Sequence, residues 1–238
     1  MSLTLDAGTI RTALDPVHPT SDLTAQRLAA WSAVLDRWSR AQRLVGWRTA
    51  HDLLHRGILD CWRARALLAG ANIGATVDVG SGAGFPGLIL AADLPDVPFH
   101  LVEARRKRAA FLREAARAME LTEVVVHHGR ASEIRSHLGV GTESPDPHPL
   151  ARRSGSRDPD PDPDPVLFAS RAFAAPADAL TEAHAWNAQL ALVSTSRARI
   201  AETPTWPPEG WTSLNGNFGR DTSGDHHEFL RRTRHDRA

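Results

Sequence analysis

The segment best suited to hold a ligand is Asp78-Val-Gly-Ser-Gly-Ala-Gly-Phe-Pro-Gly87. Glycine is needed where backbone approaches a bound molecule with no side chain between them, and Gly80, Gly82 and Gly84 alternate through this stretch. A helix beginning here points its unpaired N–H groups at a polar ligand. Pro86 suits the first helical position. Gly82-x-Gly84-x-x-Gly87 satisfies the dinucleotide-binding pattern, which by itself does not choose a cofactor. Glu103 closes the next apolar run, where a carboxylate accepts the ribose hydroxyls of NAD or of S-adenosylmethionine. The alternative for Glu103 is a surface acid beside Arg105 and Arg106. Asp78 tips the balance toward S-adenosylmethionine. Its negative charge would repel a pyrophosphate but suits a cationic amino-acid end, met directly or through water. Arg171 follows another apolar run, and its guanidinium can hold a carboxylate or phosphate. The competing role for Arg171 is a salt bridge to Asp178.

No paired carboxylates, HExxH motif or Ser/His/Asp constellation is recognisable in the sequence, and the histidines show no metal spacing. No metal is expected. His127-His128 and His226-His227 are neighbours that point to opposite faces of a strand.

The elements that must position these residues alternate. Leu28, Trp31, Leu35, Trp38 and Val45 recur at helical spacing, with Ser21 or Asp22 as cap. A second helix is expected from about Ala50 to Ala69. The tryptophans suit core contacts, with base stacking as the sharper alternative. From Thr76 the period shortens. Strands are expected at 76–80, 99–103 and 124–126, with helices after Gly87 and from Lys107 to Leu121. This βαβαβ order predicts an α/β fold with a Rossmann-like, mostly parallel sheet and right-handed crossovers. Val166–Ala169 adds a strand, Pro176–Asn187 a helix, and Gln189–Val193 a fifth strand. His227–Leu230 reads as a final edge strand before a basic tail that includes Arg234 and Arg237. The Pro-, Gly- and Trp-rich segment 204–219 carries no readable period. Between about 140 and 165 lies an insert ending in alternating Asp and Pro from Asp158 to Pro165. Its prolines block helix and ladder bonds, so it is expected to be an exposed, disordered spacer.

With 238 residues, the chain allows a large domain with a small partner, at roughly 100–200 residues per domain. We expect a helical region over 1–70 and a ligand-binding domain over 71–238. Lys plus Arg and Asp plus Glu both number 28, but the signs are segregated. Seven arginines fall between Asp36 and Arg65, basic ground that suits a polyanionic partner as well as a solvated face. The single cysteine, Cys61, excludes an intrachain disulfide and fits a reducing compartment. No apolar run is long enough to span a membrane, and the start lacks a secretory pattern, so a cytoplasmic location without membrane attachment is expected.

The stretch Asp78–Gly87 resembles the glycine signature of the bacterial small-subunit ribosomal RNA guanine-N7 methyltransferases, the glucose-inhibited division protein B family. Lys107-Arg108 with Phe111-Leu112, Gly129-Arg130-Ala131 and Ser170-Arg171-Ala172-Phe173-Ala174 match further family stretches in the same order. The resemblance covers about 76–133 and 166–175, more loosely 28–65, and omits the insert. It implies a class I methyltransferase fold, S-adenosylmethionine as cofactor, and ribosomal RNA or the small ribosomal subunit as partner. It also implies that Gly80 and Phe85 line the cofactor, that Ala131 and Ser132 sit by its adenine, and that Arg171 reaches its site. The departures lie in the helical region and after the fifth strand. The family's Arg-His-x-x-x-Ser is Arg56-Gly57-Ile58-Leu59-Asp60-Cys61 here, Trp38 is followed by Ser39, and a Leu-Lys-Gly gives way to Ser194-Thr195-Ser196. The cofactor half is intact and the substrate-facing half altered. A small-molecule methyltransferase or a non-catalytic RNA- or cofactor-binding protein is the alternative.

Overall fold

The computed structural model describes residues 2–140, 149–150, 164–171, 175–196, 200, 202, 205–214 and 225–233. Helix α1 (Ala7–Leu14) starts at Asp6, whose side chain accepts from Thr9 N–H. Helix α2 (Asp22–Ser39) is capped by Ser21 and buries Leu28, Trp31 and Leu35 completely. The second expected helix is interrupted. It comprises α3 (Ala50–Leu53), a π turn (Leu54–Ile58) and α4 (Leu59–Leu67).

Strand β1 (Ala75–Val79), helix α5 (Gly87–Ala91), β2 (Phe99–Glu103), α6 (Arg106–Ala118), β3 (Val124–His128) and α7 (Ala131–His137) follow. Then come β4 (Val166–Arg171), α8 (Pro176–Ala185), β5 (Leu190–Ser196), β6 (Trp211–Ser213) and β7 (Asp225–Arg232). Pro86 is the residue before α5 rather than its first, a shift of one position from expectation.

The sheet order is β3-β2-β1-β4-β5-β7-β6. Strands β1 to β5 pair in parallel, β7 runs antiparallel to β5, and β6 runs antiparallel to β7. The expected edge strand is therefore interior. Trp211–Ser213 covers it, and three residues are too few to show an alternation. The order reverses between β1 and β4, and at such a point the carboxyl ends of the strands open a crevice for a ligand. Helices on both faces bury all five residues of β1, as a parallel sheet requires.

Leu28, Trp31, Leu35 and Ile58 share one core with Leu88, Leu101, Phe111 and Leu167, so the N-terminal helices pack directly on the sheet layer. Polar ties reinforce the contact. Trp31 Nε1 donates to Ala83 O at 3.1 Å, Arg65 Nε to Asp93 Oδ2 at 2.9 Å, and Trp38 Nε1 to Glu114 Oε2 at 2.8 Å. Trp31 and Trp62 are fully buried, which removes them as base-stacking surfaces. Val140 and Leu150, at the start and middle of the insert, are buried in the second core cluster, on the other face of the sheet. The Asp-Pro run up to Pro163, Ala172-Phe173-Ala174, Arg234 and Arg237 lie outside the described residues.

Candidate functional site

The turn after β1 holds Gly80, Gly82 and Gly84 at φ of 76°, 57° and 91°, a backbone region that side chains disfavour. Beneath it lies Asp78, which is 1% exposed. Its Oδ2 accepts from Gly87 N–H at 3.1 Å, tying β1 to the first residue of α5. Gly87 is required by close approach. A Cβ there would lie 2.5 Å from both Asp78 Oδ2 and Leu101 Cδ2. Asp78 Oδ1 is buried without a hydrogen-bond partner. Burial pushes this carboxyl up to about 7, against the hydrogen bond from Gly87 N–H.

Glu103 is not a surface acid, for it is 5% exposed. Its Oε2 accepts from Gly82 N–H at 3.0 Å and its Oε1 from Arg105 N–H at 2.8 Å. Its carbonyl accepts from Gly129 N–H at 3.2 Å, which draws the turn after β3 to the same edge. Ala131, half-buried, and Ser132, exposed, begin α7 there, and Arg130 N–H donates to Glu133 Oε2 at 3.1 Å. The structure thus gathers Asp78, the turn glycines, Glu103, Ala131 and Ser132 at the carboxyl ends of β1, β2 and β3.

Phe85 points its ring toward the helices. It meets Trp31 edge-on at 5.1 Å between centroids and Trp47 at 5.5 Å. Arg171, at the end of β4, lies with its guanidinium carbon 5.5 Å from the Phe85 ring and 5.6 Å from that of Trp47. Its salt-bridge partner is Asp60 rather than Asp178. Arg171 Nε donates to Asp60 Oδ2 at 3.0 Å and Nη2 lies 2.9 Å from the same oxygen, while Nη2 also donates to Arg56 O at 2.8 Å. Asp60 Oδ1 lies 2.9 Å from His227 Nε2, and His227 Nδ1 lies 2.8 Å from Ser194 Oγ.

Sequence reading missed this cluster. Ser194, His227 and Asp60 form the Ser/His/Asp chain that the sequence did not reveal. It is not arranged as a hydrolytic triad, because His227 turns Nδ1 to the serine and Nε2 to the acid, the reverse of that order. One signal was available: Asp60 falls within Arg56–Cys61, a stretch already singled out. Gly57 in that stretch is explained by packing. A Cβ there would meet Trp47 Cζ3 at 3.0 Å and Phe85 Cζ at 3.1 Å.

The sheet order and the glycine turn at its switch point define a Rossmann-like class I methyltransferase fold. A putative O-methyltransferase structure from Klebsiella pneumoniae superposes with a TM-score of 0.51 at 14% identity, covering 94% of this chain and 96% of that one. Residues 24–141 match the sequence model of the GidB family, described as rRNA small subunit methyltransferase G. Among curated relatives, the Ribosomal RNA small subunit methyltransferase G of Rhodospirillum rubrum is 46% identical over 110 residues, covering 46% of this chain and 53% of its own. That of Granulibacter bethesdensis is 41% identical over 124 residues, covering 52% and 57%. The chain spans about half the length of the curated relatives it matches. The family match ends before β4, so Arg171 lies beyond it. Among the described residues no helix is long and apolar enough to cross a membrane.

Proposed function

We propose that this chain is an S-adenosylmethionine-dependent methyltransferase of the cytoplasm that methylates N7 of a guanine in the ribosomal RNA of the small subunit. The observation that carries the reading is the family match over 24–141, which contains the whole glycine turn, Glu103, Ala131 and Ser132. The matched relatives are named as ribosomal RNA small subunit methyltransferases, and one structural neighbour, a mutant of MtNAS at a TM-score of 0.50 and 14% identity, is a complex with S-adenosylmethionine.

The residues present fit that cofactor. The turn glycines leave a cradle without side chains: a Cβ at Gly82 would meet nothing nearer than 3.6 Å. Glu103, anchored by two backbone N–H groups, keeps lone pairs for a ribose diol. The unpartnered Asp78 Oδ1 supplies negative potential beneath the turn for a cationic amine. Ala131 and Ser132 border the adenine edge, and Arg171 closes the site from β4. When bound, the cofactor supplies a methyl group on a sulfonium. N7 of guanine carries an in-plane lone pair and no proton, so the chain needs no general base. Its task is to align the reactants, a contribution of up to ~7–11 kcal/mol.

Basic ground beside the site supports a polyanionic substrate. An open cavity of about 420 Å³ next to Trp47 is lined by Arg43 and Arg48, with Arg40 paired to Asp36 at its wall. Arg105, Arg106 and Lys107 are exposed at the start of α6. Calorimetry should give micromolar-range binding of S-adenosylmethionine and none of NAD. Mass spectrometry of ribosomal RNA from cells with and without the gene should show one methylated guanine lost. NAD binding in place of S-adenosylmethionine would reverse the cofactor assignment. Unchanged RNA together with methyl transfer to a metabolite would establish the small-molecule alternative.

A further inference from the structure

We propose that Asp60 is a positioning residue of the methyl-transfer site: it fixes the Arg171 guanidinium across the rings of Trp47 and Phe85, and His227 holds Asp60 in place. The inference rests on the methyltransferase reading for its kinetic consequence, but not for its geometry.

Asp60 is 1% exposed, and an acid so buried persists only with partners for both oxygens. Here they are divided. Oδ2 serves Arg171 through Nε and Nη2, while Oδ1 serves His227. The Arg56 carbonyl, in the π turn, takes Arg171 Nη2 as well. Widened turns of this kind recur at functional sites. The guanidinium is thereby oriented from the helical layer, although Arg171 belongs to β4. Its aromatic neighbours come from two further places: Trp47 precedes α3, and Phe85 belongs to the glycine turn. His227 extends the arrangement into β7 and, through Ser194, into β5.

Net stability is a poor account of this cluster. Buried ion pairs give back in desolvation much of what they gain in attraction, and apolar replacements of similar volume often do as well. What the cluster supplies is direction. Two nitrogens of Arg171 are held by Asp60, and Nη2 also by the Arg56 carbonyl, which sets the plane of the guanidinium. A lysine at 171 could keep the charge but not the plane.

The test uses the full chain with Asp60→Asn, Arg171→Lys and the double variant. In a 15N-edited spectrum the Arg171 Nε–H signal, identified as the one missing from Arg171→Lys, should exchange slowly in the parent and lose that protection in Asp60→Asn. Retained protection would overturn the proposal. With reconstituted 30S subunits as substrate, Asp60→Asn should lower kcat at least tenfold while KM for RNA stays within about threefold. In the Arg171→Lys background the same substitution should change kcat less than twofold, because residues acting through one another are not additive. Independent, multiplying effects, or a parent-like kcat in folded Asp60→Asn, would remove Asp60 from this role. If Asp60→Asn does not fold, His227→Gln serves instead. It should leave the Asp60–Arg171 contact but loosen Asp60, giving partial loss of Nε–H protection and a severalfold lower kcat, and parent-like values in both would overturn the proposal. If the parent transfers no methyl group to RNA, the functional reading fails while the Nε–H signal still decides the positioning.

Discussion

Replacing Asp78 by Asn should flatten the stability of the protein against pH around neutrality. Burial lifts the Asp78 carboxyl from 3.8 to about 7 in the folded chain. The unfolded chain ionises near 3.8, so between these values folding takes up a proton. The stability this group contributes is present in full below 3.8 and is lost as pH rises through about 7. The slope is ~1.4 kcal/mol per pH unit. From pH 5 to pH 8 the loss is about 3 kcal/mol, because titration is complete shortly above 7. Asn is nearly isosteric, cannot ionise, and keeps an oxygen for Gly87 N–H. The advantage of the Asn variant over the parent should therefore grow by about 3 kcal/mol between pH 5 and pH 8. Urea unfolding of both proteins across this range, fitted with a common m-value, measures the divergence. Taking the difference cancels every other titrating group except those coupled to Asp78, of which Glu103 is the named one. Parallel curves from pH 5 to pH 8 would refute the argument, since they would mean that Asp78 is ionised throughout. A bound cation above the turn draws the same carboxyl back toward ionisation. S-adenosylmethionine should then release a proton on binding near pH 6.5, and Asp78→Asn should abolish that release in calorimetry run in two buffers.

Gly87→Ala should destabilise the protein by about 1–3 kcal/mol in urea unfolding, because its Cβ has nowhere to go between Asp78 and Leu101. Trp31→Phe removes the donor to Ala83 O inside the core, and its unfolding free energy should fall by about 1–3 kcal/mol. Arg171→Lys should weaken cofactor binding or methyl transfer at least tenfold, about 1.4 kcal/mol, with a smaller drop in melting temperature than Arg171→Ala, which leaves buried Asp60 without its guanidinium.

What the sequence disclosed follows the range of the interactions involved. The glycine turn, β2 with both its bounds, and the alternation of strands with helices depend on neighbours a few residues apart, and they were legible. Short elements were not. Helix α1 buries only Ile10 and Leu14, and its one local sign is Asp6 as cap. Helix α7 has no buried residue at all, so nothing in its pattern separates it from a loop. The interior position of β7 depends on a three-residue strand within a segment that has no period. The Asp60 cluster is the extreme case, joining residues 111 and 167 positions apart. No local spacing encodes such a meeting, although Asp60, His227 and Ser194 each lie in a stretch that the sequence singles out for another reason.

That range also changes the meaning of the departures from the family pattern. Read along the chain, Gly57 is a lost side chain in the substrate-facing half. In the fold, the space a side chain would need is taken by the rings of Trp47 and Phe85, and Phe85 belongs to the glycine turn. Ser194, likewise a departure, is the hydroxyl that engages His227 and through it Asp60. The altered positions are therefore joined to the intact ones by direct contact. Divergence confined to a surface would leave the glycine turn packed as before. A side chain added at Gly57 would press on the two rings against which Arg171 rests, so a change at this position reaches the glycine turn and the end of β4 together.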